Sequence, residues 1–203
     1  RKPFMSGTVP HPCGQCLPCR INKRREWTIR QVLESFCHND NCFVTLTLDD
    51  QHNNGNVHPR EMRLWIKRLR KDLKAVFGTK VRYFLCGEYG DESFRPHYHA
   101  SLFGVGILHQ YLIERSWPYG HVMVAEFNQQ TAQYLCGYVA KKMTHENDPR
   151  LEGRKPEFAR MSNRPGIGAA AMQVLAESVV LTDAGLAEYE RTEIGRASCR
   201  ERV

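Results

Sequence analysis

Pro96-His97-Tyr98-His99 is the sharpest chemical feature of the chain. In a strand, residues two apart point to one face, so His97 and His99 project side by side. Two imidazoles on a rigid strand make a platform for a divalent ion, with positions left open for substrate oxygens. Imidazole by itself does not choose among zinc, manganese, nickel and iron. Glu88, in the turn that enters this hairpin, is the nearest carboxylate able to complete the site, and it would bias the site toward Mg²⁺ or Mn²⁺. The competing reading is two surface histidines on a half-buried strand, the commoner meaning of a lone H-x-H.

A second feature changes that balance. Over Gln129 to Met143 a helical period places Tyr134, Tyr138, Lys141 and Lys142 on one face, at i, i+4, i+7 and i+8. Ala132, Leu135, Cys136, Val139 and Met143 form the opposite, core-facing stripe. Two tyrosines on an otherwise polar, cationic face are not needed for a core. A phenol, with a pKa of about 10, is a poor nucleophile at neutral pH unless a cation favours the phenolate. Lys141 and Lys142 can supply part of that charge or steady a phosphate. An amphipathic tyrosine pair bordered by snorkelling lysines is the equally weighted alternative.

Other clusters carry less specific signals. Arg63, Lys67, Arg70 and Lys74 form one stripe of a helix over Arg60 to Phe77, either a solvated face or cations near a single-stranded DNA substrate. Arg20, Lys23, Arg24 and Arg25 form a second such cluster. Cys13, Cys16 and Cys19, with His11 two residues earlier, have the spacing of structural zinc ligands, with Cys37, Cys42 or His38 as a fourth. An iron–sulfur reading of the same spacing lacks the fourth Cys followed by Pro, and thiols that bind no metal are the remaining reading.

These residues need elements to position them. The first twenty residues read as loop. Arg20 to Phe36 has helical spacing at Ile21, Ile29, Val32, Leu33 and Phe36. Cys42 to Leu48 alternates and is β-branched, hence a strand, and Arg60 to Phe77 is an amphipathic helix that Gly78 can end. Strands follow over Val81 to Gly87, His97 to Phe103 and within Tyr119 to Phe127, and Asn128 is suited to cap the tyrosine helix. Short turns between successive strands imply antiparallel pairing and an α+β class.

The composition narrows the function. The 203 residues carry 29 Lys+Arg against 22 Asp+Glu, a net +7, which suits a polyanionic partner. A 41% hydrophobic share argues against disorder, and the apolar runs are too short to span a bilayer. The N-terminus reads as having no secretory leader. Cys86 and Cys136 sit inside apolar segments, as reduced thiols do, so a reducing compartment is expected. The last eleven residues, Glu193 to Val203, are similar to a translated sequencing adapter. Removing them takes away three Arg, two Glu and Cys199, leaving +6 and seven Cys.

Taken in order, several segments resemble one family: PCGQCLPCR at Pro12 to Arg20, CFVTLTLDD at Cys42 to Asp50 and CGEYGDESFRPHYHASLFG at Cys86 to Gly104. WPYG at Trp117 to Gly120, the tyrosine helix and PEFARMSNRPGIG at Pro156 to Gly168 complete the set. Together they resemble the HUH endonucleases that initiate rolling-circle replication, and within them the initiators of microviruses, especially the gokushovirus branch. The resemblance implies an α+β fold with an antiparallel sheet of about five strands, ferredoxin-like, flanked by helices. It implies His97 and His99 as ligands of Mg²⁺ or Mn²⁺ with Glu88 as third, and Tyr134 and Tyr138 as nucleophiles that nick origin DNA and rejoin it. Single-stranded origin DNA, a host helicase and a host polymerase are the implied partners, in the bacterial host cytoplasm with no membrane. Gly137 departs from the family pattern, in which a basic residue often stands between the tyrosines.

The expected division is a Cys-rich N-terminal loop over 1–19, a nicking domain over 20–145, a truncated C-terminal extension over 146–192 and the foreign residues 193–203. A non-catalytic single-stranded nucleic-acid-binding module is the alternative from another class. An HUH relaxase or transposase of a plasmid or mobile element is the closer one.

Overall fold

A computed structural model describes residues 4–6, 9–14, 16–78, 80–141 and 148–180. It opens with a hairpin in which β1 (Phe4–Ser6) pairs antiparallel with β2 (Val9–His11), where loop is expected from the sequence. Strands of three residues are too short for alternation to register. Helix α1 (Leu17–Ser35) begins three residues ahead of its predicted start because Pro18, which reads as a breaker, sits in the first turn, where its missing N–H costs nothing.

The central sheet is built from β3 (Asn41–Thr47), β4 (Arg82–Tyr89), β5 (Pro96–Phe103), β6 (Val122–Glu126) and β7 (Phe158–Met161). Its order is β6-β3-β5-β4-β7 and every neighbouring pair is antiparallel. The α+β class and the five-stranded antiparallel sheet are therefore as expected. The fifth strand, β7, comes from the segment assigned to an extension beyond residue 145, and it completes the sheet's β4 edge. Gly87 makes room for it, since a Cβ there would stand 2.5 Å from the Phe158 ring.

Helix α2 (Pro59–Phe77) runs from Pro59 at its first turn to Gly78, whose φ of 65° terminates it, with the Gly78 N–H bonded to the Lys74 carbonyl. Its buried stripe of Met62, Trp65, Ile66, Leu69 and Leu73 follows the helical period. With Leu112 and Ile113 of α3 (Gln110–Ser116), that stripe packs on Val44, Leu46, Leu85, Tyr98, Ala100 and Leu102. Full burial of each such side chain contributes about 1.5–3 kcal/mol. Helix α3, unpredicted, is short enough that one turn of period carries no signal.

The other face of the sheet carries Phe43, Phe84, Cys86 and Phe103, packed with Leu135 of α4 (Gln129–Lys141) and with Ile167. Helix α1 packs on α4, and α5 (Ala169–Val180) follows the turn that packs on α1. Among the described residues, no helix is long and apolar enough to cross a membrane.

Helix α1 departs from its predicted orientation. Ile21, Ile29 and Phe36 are exposed, while Thr28, Gln31 and Glu34 are buried. The polar face turns inward because it has partners there. The Gln31 amide donates to Cys136 Sγ at 2.9 Å, and the Glu34 carboxylate accepts from the Arg82 guanidinium, from the Gly168 N–H at 2.7 Å and from His38 at 3.1 Å. Burial alone would raise the Glu34 pKa, but these donors outweigh it and hold the carboxyl below its usual range. Gly168 is needed at this contact. Its φ is 77°, and a Cβ would meet the Arg30 carbonyl oxygen at 2.7 Å.

Removing Glu34 would leave Arg82 uncompensated, so Glu34→Ala should destabilise the fold by about 3–5 kcal/mol in denaturant unfolding. Because the folded pKa lies below the ordinary value of 4.5, this stabilisation is complete above that value. It is lost as pH falls through the lower folded value. Unfolding curves that are the same for wild type and variant, or a wild-type-specific loss on raising pH instead, would refute the assignment.

Candidate active site

Strand β5 lies between β3 and β4, and the pairing aligns two rows across their common face. Thr45, His99 and Cys86 stand opposite one another in one row, and Thr47, His97 and Glu88 in the next. His99 is 5% exposed, and both ring nitrogens are engaged: Nδ1 with Thr45 Oγ1 at 2.9 Å, Nε2 with Glu88 Oε1 at 3.0 Å. Glu88 thus leans diagonally from its own row to the next, a reach long side chains make across a sheet. Burial pushes the His99 pKa down to about 4, so the imidazole is neutral at neutral pH. With Nε2–H donated to the carboxylate, Nδ1 accepts the Thr45 hydroxyl.

Helix α4 lays its tyrosines over this ring. Asn128 caps the helix, its Oδ1 accepting the Thr131 N–H at 2.9 Å. Ala132, Leu135 and Cys136 are buried beneath α4. Tyr138 stacks on His99 with centroids 5.2 Å apart and planes within 4°, and Tyr134 meets His99 edge-on at 5.5 Å. The two phenols touch each other at 4.7 Å, nearly perpendicular, and Phe43 stacks on His99 at 5.8 Å. Tyr134 is 49% exposed, whereas Tyr138 is half-buried. Burial, the hydrogen bond shared with Tyr134 and the negative charge of Glu88 together raise the Tyr138 pKa far above that of an ordinary phenol.

His97 is half-buried with its ring against Gly90, where an added Cβ would approach Cε1 to 3.0 Å. Glu88 and His99 thus meet directly, while His97 stands one row along on the same face. Among the described residues, only Cys13, Cys16 and Cys19 form a group of three whose ligand atoms all lie within 4.8 Å of one another. The His97, His99 and Glu88 donor set nevertheless fits a divalent ion chemically. It offers two imidazoles, one of them held neutral as a ligand must be, and a carboxylate.

A cleft of about 350 Å³ opens beside these residues, lined by Arg20, Glu88, Gly90, Tyr138 and Arg150 among others. Arg150 is held by Asp148 at 2.6 Å. Arg24, also on α1, donates to the Gln133 carbonyl at 3.2 Å, and its guanidinium carbon lies 3.8 Å from where a Gly137 Cβ would stand. Gly137, which departs from the family pattern, thus has a cation beside it from another helix. Sequence reasoning placed Arg20 and Arg24 only in a general basic cluster and missed Thr45 and Arg150. The alternation of Phe43, Thr45 and Thr47 was the one available signal for Thr45.

The remaining expected residues are elsewhere. Lys141 ends α4, but its side chain, and all of Lys142, fall outside the described residues. Arg63, Lys67, Arg70 and Lys74 lie on α2, across the sheet from the tyrosines, and the structure does not bring them to the cleft. Arg70 is engaged there, donating to the Val81 carbonyl at 2.8 Å and stacking over Tyr83. The three N-terminal cysteines do come together, but not with the fourth ligand expected. Cys37 and His38 lie beyond the far end of α1, a helix roughly 27 Å long at 1.5 Å per residue. Cys42 is buried within β3.

The family model for the replication-associated protein ORF2/gene-two protein family matches residues 41–143, from β3 through α4. Over 157 residues the chain is 34% identical to replication-associated protein VP4 of Bdellovibrio phage phiMH2K, covering 68% of this chain and 50% of that protein. Over 202 residues it is 29% identical to replication-associated protein ORF2 of Spiroplasma virus 4, covering 89% and 62%. Replication-associated protein ORF4 of Chlamydia phage 1 is 28% identical over 155 residues, covering 66% and 39%. The chain spans about half the length of these curated relatives. No solved structure matches it.

The raised Tyr138 pKa is directly measurable. In a pH titration followed by NMR of ring-labelled tyrosine, the Tyr138 signal, assigned by Tyr138→Phe, should remain that of a neutral phenol after exposed tyrosines have ionised near pH ~10. Titration of Tyr138 at or below that pH would contradict the geometry described.

Proposed function

Because this chain belongs to the replication-associated protein ORF2/gene-two protein family, we propose that it initiates bacteriophage DNA replication by nicking and rejoining a single strand at the origin. The observation that carries the reading is the stacking of two phenols, one turn apart, over a histidine bonded to a carboxylate at the mouth of a cleft. A phenol oxygen attacks the scissile phosphorus and the bond to the 3′ oxygen breaks. This leaves a 3′-OH for a host polymerase to extend and a 5′-phosphotyrosine that conserves the bond energy. The second phenol then attacks the regenerated junction, and release of the first link closes a circle.

The chain's own groups are arranged for these steps. Tyr134, half exposed, is open to a strand entering from solvent, while Tyr138 is held against His99, so the two phenols are inequivalent at the outset. Arg20 and Arg150 line the cleft where the phosphates would run. His97, His99 and Glu88 would hold Mg²⁺ or Mn²⁺, which when bound polarises the phosphate and favours the phenolate. The Thr45 hydroxyl can accept from Nδ1–H as readily as it donates, so it can orient His99 with the Nε2 lone pair directed outward. Single-stranded origin DNA is the substrate, with a host helicase to open the duplex, in the host cytoplasm. Lys141 and Lys142 are proposed to support the phosphate from the end of α4. Arg63, Lys67, Arg70 and Lys74 remain candidates for more distant DNA contacts.

Incubation with single-stranded origin DNA and Mn²⁺, followed by a denaturing gel, should reveal a covalent adduct. The Tyr134→Phe, Tyr138→Phe double variant should form none, and an adduct that persists would assign the nucleophile elsewhere. Wild type that forms no adduct on its own origin would refute the enzymatic reading. His97→Ala should abolish nicking while leaving DNA binding largely intact, and equal loss of both would make that histidine a structural or DNA-contacting residue. Thr45→Val should weaken Mn²⁺ binding by about 10–100-fold through loss of ring orientation. Unchanged affinity, measured by calorimetry, would remove Thr45 from that role.

A further inference from the structure

The proposed nicking reaction uses nothing from the N-terminal segment, yet its three cysteines are the tightest group of metal-ligating atoms among the described residues. Cys13 Sγ and Cys19 Sγ are 3.9 Å apart. A disulfide requires about 2.05 Å, so the pair is not covalently joined. Two thiolates on one tetrahedral zinc, each at about 2.3 Å, stand roughly 3.8 Å from each other. The separation found is therefore that of co-ligands.

Two further features favour metal-bound sulfur. The Cys16 N–H donates to Cys13 Sγ at 3.3 Å, the kind of backbone contact that supports a ligating thiolate from outside the coordination sphere. Cys16 is also the N-cap of α1 and Cys19 is buried in its first turn, so the positive end of a 19-residue helix faces the sulfurs. All-thiolate donors select zinc over the hard cations suited to the His97 and Glu88 site.

We propose that Cys13, Cys16 and Cys19 hold a structural zinc ion at the N-terminus of α1, with a fourth ligand from outside the triad. The three thiols give up their protons as zinc binds. The ion ties the segment after β2 to the helix start and fixes where α1 begins. The residue after Cys19 is Arg20, which lines the cleft with Glu88 and Tyr138, and the next turn carries Arg24, bonded to α4. The zinc therefore anchors the end of α1 that borders the tyrosines. Zinc occupancy is read independently of nicking, so the proposal stands or falls apart from the proposed activity.

The test uses the full chain, purified under reducing conditions and equilibrated with Zn²⁺ or Co²⁺. The cobalt protein should show thiolate-to-metal charge-transfer absorption and tetrahedral ligand-field bands. These should be absent from the Cys13→Ser, Cys16→Ser, Cys19→Ser triple variant and unaffected in Cys37→Ser. Because charge transfer reports sulfur ligands only, metal at the histidine site does not contribute. Should the triple variant fail to fold, alkylation of the wild type decides. Zinc should slow modification of Cys13, Cys16 and Cys19 by roughly tenfold or more relative to chelated protein, and leave exposed Cys37 unchanged. Cobalt protein with no charge-transfer band, equal alkylation with and without zinc, or a Cys13–Cys19 disulfide in zinc-treated protein would each overturn the proposal.

Discussion

The site depends on the two-residue period of β5 held between β3 and β4. Alternate residues of that strand serve opposite faces. Tyr98, Ala100 and Leu102 enter the core beneath α2, while His97, His99, Ser101 and Phe103 face the other way. A slip of one residue would exchange the two sets, burying both histidines against Trp65 and Leu69 and exposing the apolar set. The apolar face therefore enforces the register, and the register places Thr45 and Glu88 beside His99. The chemistry on one face is positioned by the hydrophobic burial on the other.

The face bearing the histidines is closed differently. Its apolar cluster is smaller, and α1 approaches through polar groups, with Gln31 reaching Cys136 and Glu34 reaching Arg82, Gly168 and His38. Directional bonds of this kind cost more to misplace than apolar contacts, because a buried donor or acceptor left unmatched loses its hydration with nothing in return. They fix α1 against the sheet and against α4, and α4 carries both tyrosines. The position of the phenols over His99 thus depends on contacts one helix removed.

Within the site the charges oppose one another. His99 is neutral, Tyr138 is held as a neutral phenol and the Glu88 carboxylate faces both. Forming a phenolate here would set a second negative charge beside the first, which is why the proposed reaction calls for a cation. The arginines lining the cleft, Arg20 and Arg150, come from segments far apart in the chain.

The sequence by itself determined the parts whose signal is local. Alternation identified β3 and β5, the apolar period identified α2, the polar tyrosine-bearing face marked α4, and the H-x-H spacing put both histidines on one side of a strand. The tertiary structure alone decided the rest, because it depends on which distant segments meet. Thr45 is 54 residues from His99, and the buried face of α1 is the one that reads as solvent-facing. β7 needed the β4 edge to become a strand, and the basic stripe of α2 proved to lie across the sheet from the tyrosines. Periodicity reports a segment's preference for one face, whereas the partner that face meets is set by pairing and packing across the whole chain.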